Sequence, residues 1–322
     1  MSFVQVYNRY ESRLHSVELR LRGEVHSEQA TLSRAALHLL EAGGKRIRPL
    51  FAVICGSLGQ RENTEDVERV ACALELIHMA TLVHDDVIDD SSLRRGQPTV
   101  KAQFGNRAAM YVGDFLFARA IGILSRIERV DIHQEFSTAI AKMCRGEIEQ
   151  IRDLFNWTQT LRTYFRRIER KTALLISVSC SLGASAAGAS AQNVSALRRF
   201  GYWTGMAFQI IDDVLDFSGD QSHVGKPVAG DLRQGNLTLP TLLASLDVPV
   251  GEQLRRLVQK DMTSEQATLA IQIVRDSGCI ESARGIAKKC MAKAVQHLQC
   301  IDIPEVRVEL QTVADFVYER LF

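Results

Sequence analysis

Proline is scarce in this chain, whose 322 residues contain only six, at positions 49, 98, 227, 240, 249 and 304. An interior proline removes a helical hydrogen bond and clashes with the preceding turn, so the long proline-free stretches suit a helical protein. Net charge is almost absent as well, at +1. No overall field exists to recruit nucleic acid or an anionic membrane, and any basic site must be a local arrangement. The seven cysteines, at 55, 72, 144, 180, 279, 290 and 300, form no CxxC pair and have no histidines at zinc-finger spacing. An odd, unpatterned set reads as reduced core thiols of a cytoplasmic protein. The stretch MSFVQVYNRYESRLHSVELRLRGEV is charged throughout and lacks the apolar core of a signal peptide. The longest uncharged run, between Lys171 and Arg198, is built from Ala, Ser and Gly rather than Leu and Ile, and Gly183 and Gly188 interrupt it. A membrane span needs about 20 mainly apolar residues, so this run is expected to be a closely packed interior helix and its exit loop.

What is present is ordinary for a globular protein: 46% hydrophobic and 24% charged residues, with no composition break. One domain over residues 1–322 is expected, of the all-α class. Segment 29–42 has apolar residues at three- and four-residue spacing and stops at Gly43-Gly44. Segment 64–90 opens at Thr64, a plausible N-cap, and runs on with almost no polar break, so it should be buried nearly all round. Segments 107–128, 131–155, 160–182, 194–217, 238–246, 263–276 and 279–300 show similar helical periods. Turn signals lie at 95–98, 218–236 and 247–251, and alternating strand patterns are scarce.

One motif recurs. Asp85-Asp86-Val87-Ile88-Asp89 and Asp212-Asp213-Val214-Leu215-Asp216 have the same spacing. On a helix the first and last aspartates of each set share a face, with the second beside them. Each set ends a strongly apolar helix, and burying such like charges unpaired would cost several kcal/mol or raise their pKa. Clustered carboxylates without cysteine suit a hard cation, and Mg²⁺ commonly binds one or two carboxylates plus a substrate's phosphates. A single copy would read as a solvated acidic helix end; two identical copies turn that reading round.

Basic residues gather where a diphosphate would need them. Gly43-Gly44-Lys45-Arg46-Ile47-Arg48-Pro49 places three cations just past two helix-ending glycines. Arg94-Arg95-Gly96 follows the first aspartate set, Gly225-Lys226-Pro227 follows the second, and Lys171-Thr172 precedes the uncharged run. Taken singly, each is an ordinary surface charge. Beside the aspartates, arginine forks can grip phosphate oxygens and lysines act as point charges.

Together these residues resemble the trans-isoprenyl diphosphate synthases, the polyprenyl synthetase family. The likeness runs in order through GGKRIRP (43–49), LVHDDVIDDSSLRRGQPT (82–99), GDFLFARA (113–120), GEIEQ (146–150), RKTALL (170–175), AFQIIDDVLDF (207–217) and GKPVAGDLRQGNLTLP (225–240). It implies an antiparallel helical bundle with both aspartate sets facing a deep central cavity. It also implies Mg²⁺ as cofactor, held by Asp85, Asp86, Asp89 and Asp212 with Asp213 and Asp216. Arg94, Lys171, Thr172, Gln209 and Lys226 map onto contacts to an allylic diphosphate. Lys45, Arg48, His78 and Arg95 map onto the isopentenyl diphosphate pocket, although a lone His78 would read as a core histidine. The catalytic set is then Asp85, Asp86, Asp89, Arg94, Lys171 and Asp212. Within the family, the residues are most similar to catalytic components that make heptaprenyl chains of the kind serving menaquinone. It implies a dimer, either of two like chains or with a small regulatory subunit, no nucleic acid, and at most peripheral membrane contact through the lipid product. Family members often carry lysine where this chain has Asn236, a departure that favours a heteromeric assembly.

The family sets product length with side chains below the first aspartate set. Ala80 lies about 7.5 Å along the axis from Asp85 and is small; Thr81 is not aromatic, and Ile77 lies deeper. A medium-to-long product is expected, with a shorter geranylgeranyl or hexaprenyl product as the alternative. An HD-type phosphohydrolase would use His84-Asp85 and His78 but leaves the second aspartate set unexplained. A terpene cyclase would carry an Asn/Ser/Glu triad there, and a regulatory subunit would be expected to have lost carboxylates.

Overall fold

A computed structural model of the chain describes residues 1–59, 64–218 and 230–319. Seventeen α-helices, one five-residue π-helix and one two-residue hairpin are found among the described residues. In chain order the first seven helices are α1 Phe3–Arg9, α2 Glu11–Glu24, α3 Ala30–Glu41, α4 Ile47–Gly56, α5 Thr64–Ile88, α6 Val100–Phe104 and α7 Asn106–Leu124. Then come α8 Val130–Arg152, α9 Leu161–Ile168, the π-helix Glu169–Ala173, α10 Leu174–Ala186 and α11 Ala191–Ser218. The last six are α12 Gly230–Arg233, α13 Leu239–Ala244, α14 Val248–Leu257, α15 Ser264–Asp276, α16 Cys279–Leu298 and α17 Pro304–Glu319. The hairpin pairs β1 Leu93–Arg94 with β2 Gln97–Pro98. Arg95 and Gly96 close it with φ of 52° and 76°, the doubly left-handed turn that matches strand twist. The all-helical expectation is met.

Contacts divide the chain into two compact units. The first comprises Met1–Ser137, Leu175–Gly201 and His297–Phe316. Its centre is α5, which packs on α2, α4 and α7 and buries nearly every residue from Val67 to Ala80. The uncharged α10 is buried at every position from Leu175 to Ala186, as an interior helix should be. Gly183 lies inside α10 instead of interrupting it. A Cβ there would fall 2.2 Å from the Ala52 carbonyl of α4, so only glycine permits this approach. Tyr10 donates to the buried Glu309 at 2.7 Å and Arg9 pairs with the same carboxylate, tying α1 and α2 to α17.

The second unit comprises Thr138–Leu174, Tyr202–Gln296 and Val317–Phe322. The π-helix sits against α11 because Gly205 leaves room: a Cβ there would lie 2.5 Å from Ala173 Cα. Gly146 of α8 does the same opposite Arg170, at 2.6 Å. Arg167 donates to the Leu237 carbonyl at 2.6 Å, and Arg275 to that of Phe217 at 2.7 Å.

Three expectations are corrected. Residues 247–251 are not a turn: Asp247 caps α14 by accepting from the Val250 N–H, and Pro249 occupies its first turn, where a missing N–H costs nothing. Cys144 and Cys300 are exposed and Cys279 half-buried, while Cys55, Cys72, Cys180 and Cys290 are buried; all seven are free thiols. The segment expected as one helix over 160–182 is α9, the π-helix and α10. Thr64 is the first helical residue of α5, and the position before it lies outside the described residues. Among those described, no helix is long and apolar enough to cross a membrane.

Candidate active site

In the first unit, α5 delivers His78, Asp85 and Asp86 from one continuous helix, and Asp89 extends it, its N–H donating to the Asp85 carbonyl at 2.8 Å. The three carboxylates are not equivalent. Asp85 is half-buried and Asp89 exposed, whereas Asp86 is 2% exposed and held by Arg94. The Arg94 Nε lies 3.1 and 3.0 Å from the two Asp86 oxygens and Nη2 lies 2.8 Å from one. Charge-assisted, forked pairing of this kind fixes both partners. Arg94, expected as a diphosphate contact, is therefore also the counter-ion of Asp86.

Beside these lies a narrow, solvent-open hollow, lined by Gly43, Arg46, Glu75, His78, Arg94 and Arg95 among others. It is strongly cationic. Burial, followed by the charges of Arg48, Arg95, Arg94 and Arg46, holds the His78 imidazole well below its usual pKa; at neutral pH it is an uncharged donor and acceptor. Burial also lowers Arg48 and Arg95, partly offset by Glu75. The backbone is shaped for these approaches: Gly44 has a φ of 151°, and a Cβ on it would meet the Arg95 guanidinium at 2.6 Å. Lys45 Nζ sits 4.6 Å above the Phe316 ring and is not part of the hollow's lining.

Two residues here were not legible as functional candidates. Arg46 ion-pairs with Glu18 at 2.9 Å and Glu75 at 3.0 Å and caps the Leu40 carbonyl. It is the anchor of the basic loop, not a solvated charge. Glu75 is 4% exposed and stands one helical turn before His78, a spacing that could have pointed to it.

In the second unit the π-helix presents Lys171 and Thr172, consistent with the frequent placement of π-bulges at functional sites. Lys171 Nζ lies 3.4 Å from Gln150 Oε1 and 3.7 Å from Glu147 Oε2, while Arg170 pairs with Glu149. Thr172 donates to Gln209 Oε1 at 2.6 Å. Gln209 Nε2 donates to Asp213 at 2.9 Å and to Asp212 at 3.3 Å. Asp213 is 3% exposed and also accepts from the Tyr164 hydroxyl at 2.6 Å. Asp212 and Asp216 are half-buried. Burial, and then the charge of Asp231, push Asp213 up to about 8 and Asp216 up to about 7. Asn236 donates its amide N–H to Asp231 at 3.2 Å. Lys226, with its flanking Gly225 and Pro227, lies outside the described residues. Tyr164 and Asp231 were missed from sequence; the tyrosine's only signal is its position seven residues before Lys171.

No group of three or more His, Cys, Asp or Glu side chains is arranged to hold a metal among the described residues. The donors nonetheless suit a hard divalent ion shared with a substrate, which asks the protein for one or two carboxylates and takes its other oxygens from phosphates and water. Asp85, Asp89 and Asp212 reach solvent, and the field that raises Asp213 and Asp216 favours positive charge nearby. Asp86 and Asp213 are instead committed to protein donors.

An all-helical chain with two DDxxD helix ends, a cationic hollow and a lysine-threonine π-helix is an isoprenoid synthase. The polyprenyl synthetase family model matches residues 29–274, and the chain belongs to that family. It is 45% identical over its whole length to heptaprenyl diphosphate synthase component 2 of Bacillus subtilis, covering 92% of that protein. Heptaprenyl diphosphate synthase from Staphylococcus aureus superposes with a TM-score of 0.93 at 39% identity, covering 97% of this chain and 98% of that one. A polyprenyl synthase from Caulobacter crescentus, complexed with calcium and isoprenyl diphosphate, gives 0.94 at 31% identity, covering 99% and 98%. The chain is a trans-prenyltransferase, which sets aside the phosphohydrolase and cyclase alternatives.

Proposed function

We propose that this prenyltransferase is the Mg²⁺-dependent catalytic component of a two-component, cytoplasmic heptaprenyl diphosphate synthase, extending an allylic diphosphate with successive isopentenyl diphosphates for a menaquinone side chain. The full-length 45% identity to a protein named component 2 carries this reading. Asn236 supports the need for a partner, because the second unit has an amide facing Asp231 at a place where family members often carry a cation.

In the first unit, His78, Arg95, Arg48 and Lys45 bind isopentenyl diphosphate. The neutral His78 offers a hydrogen bond, while the arginines supply charge. Asp85 and Asp89 would hold the metal, with Asp86 buttressed by Arg94. In the second unit, Lys171 and Thr172 bind the allylic diphosphate, joined by Gln209 and Lys226. Asp212, which reaches solvent, would hold the metal there, with Asp216 half-buried and Asp213 buried on the same helix. Bound Mg²⁺ neutralises charge that builds on a departing diphosphate. The fixed dipoles of Thr172 and Gln209 and the charge of Lys171 are aimed before reaction, which is where electrostatic catalysis gains most. The proton lost after carbon–carbon bond formation goes to the released diphosphate, so no side-chain base is required.

Purified chain, farnesyl diphosphate, labelled isopentenyl diphosphate and Mg²⁺ test this. Labelled heptaprenyl product that appears only when a small regulatory subunit is added is the expected result. Full activity of the chain alone refutes the two-component assignment, and a product of another length, measured by mass spectrometry, refutes the heptaprenyl one. Ala80 and Ile77 are both fully buried, and Thr81 is half-buried with its hydroxyl turned back to the His78 carbonyl. We assign the tail's path past Ala80, so Ala80→Phe should shorten the product; unchanged length removes Ala80 from that path.

A further inference from the structure

Tyr164 is fully buried, and burial followed by the charge of Asp213 pushes its pKa well above the ordinary phenol range. It is therefore a permanent donor. Its hydroxyl lies 2.6 Å from Asp213 Oδ2, and Arg167 pins its ring from 5.5 Å while donating to the Leu237 carbonyl and to Gln159. The other Asp213 oxygen accepts from Gln209 Nε2 at 2.9 Å, and Gln209 Oε1 accepts from Thr172 at 2.6 Å. A line of hydrogen bonds thus runs from α9 through α11 to the π-helix.

A primary amide fits its space almost equally well when turned end for end, so its hydrogen bonds choose the orientation. Thr172 could donate or accept and imposes no choice. Asp213 Oδ1 and Asp212 Oδ2 both face the amide's NH₂, at 2.9 and 3.3 Å, and together they call for its nitrogen on that side. Asp213 exerts that demand only while its own plane is fixed, and Tyr164 is what fixes it. We propose that Tyr164 is a positioning residue for the allylic half of the reaction, acting through Asp213 to hold the Gln209 amide with its nitrogen toward Asp212 and its oxygen on Thr172. This rests on the reading that Gln209 and Thr172 contact the allylic diphosphate.

Tyr164→Phe, Gln209→Ala and the double variant, assayed in the assembled enzyme with both substrates varied, test the proposal. Tyr164→Phe is expected to lower kcat about 10- to 100-fold through a misplaced amide. Its KM for isopentenyl diphosphate should stay within about twofold, since that pocket is built from first-unit residues. The double variant should be no worse than Gln209→Ala alone, because both changes act on one amide. Losses that multiply, or wild-type kinetics for Tyr164→Phe beside a damaged Gln209→Ala, overturn the proposal and leave the allylic reading standing. Wild-type kinetics for Gln209→Ala overturn both. Should circular dichroism show Tyr164→Phe unfolded, Asp213→Asn replaces it, since it breaks the carboxylate that joins Tyr164 to the Gln209 amide. That variant should match Gln209→Ala and be non-additive with it, and additivity again refutes the link.

Discussion

A histidine kept neutral by burial and, after that, by four arginines makes a measurable demand on folding. The unfolded chain releases His78 to an ordinary pKa near 6.5, while the folded chain holds it well below that. Below about pH 6.5 the unfolded state therefore binds a proton that the folded state refuses. The stability this group permits is present above that pH and is lost as pH falls toward the depressed folded value, by up to about 1.4 kcal/mol per pH unit. Urea unfolding of the wild type and of His78→Gln at pH 7.5, 6.5 and 5.5 checks this: the wild type should lose more stability on acidification, by up to one proton's worth. Equal slopes would mean that His78 is solvated and the cationic hollow loosely made. Candidate site residues were legible in sequence only where chemistry repeats or clusters, as in the aspartate sets and GGKRIRP. Glu75 was not, and Arg46 was read only as one cation of that cluster, because a charge that anchors a loop and one that faces solvent look alike until their partners are known.

Helices were easier to see than their interruptions. The amphipathic or uniformly apolar runs of α3, α5, α7, α8 and α11 were recognisable from apolar spacing, and their ends shifted by only a few residues. α4 was overlooked because it is buried from Pro49 to Gly56 and so has no polar face to set a period. α1, α2 and α17 were overlooked too; the charged α2 buries only one narrow side. The π-helix has no sequence period of its own, yet it carries Lys171 and Thr172. Its seat depends on a glycine. Gly205→Ala would force a Cβ to within 2.5 Å of the Ala173 backbone, which cannot rotate away as a side chain could. We expect a loss of about 1–3 kcal/mol from this overpacking, together with a raised KM for the allylic substrate as Lys171 and Thr172 shift. A parallel substitution at Gly113 would drive a Cβ to within 2.1 Å of the His84 ring beside Asp85, disturbing the first aspartate set from α7. Gly113→Ala should accordingly raise the Mg²⁺ concentration needed for half-maximal activity, whereas Gly205→Ala should act mainly on the allylic KM. Thermal melts and steady-state kinetics of the two variants would separate these effects.

Fold class was legible at the scale of the whole chain because helical periods and missing strand patterns recur from end to end. The division into two units was not, because each is assembled from three separated stretches and only long-range packing brings them together. At this scale the metal assignment has a consequence independent of turnover. If Mg²⁺ and a diphosphate bind the folded chain together and the unfolded chain not at all, they stabilise it by mass action, about 2.7 kcal/mol at 100 times the dissociation constant. Dividing by a melting entropy of about 2.1 cal/mol/K per residue over 322 residues gives a rise of about 4 °C in Tm. Inorganic pyrophosphate with Mg²⁺ should produce that rise, and pyrophosphate with EDTA should not. Asp85→Asn removes a solvent-reaching carboxylate and leaves the Asp86–Arg94 pair intact, so it should melt near the wild-type temperature without ligand yet lose most of the shift. Asp212→Asn, which also changes an acceptor of Gln209 Nε2, should lose most of the shift as well. A full shift in EDTA would assign the binding to arginine and lysine alone, leaving the aspartate sets without the metal for which their spacing and chemistry are suited.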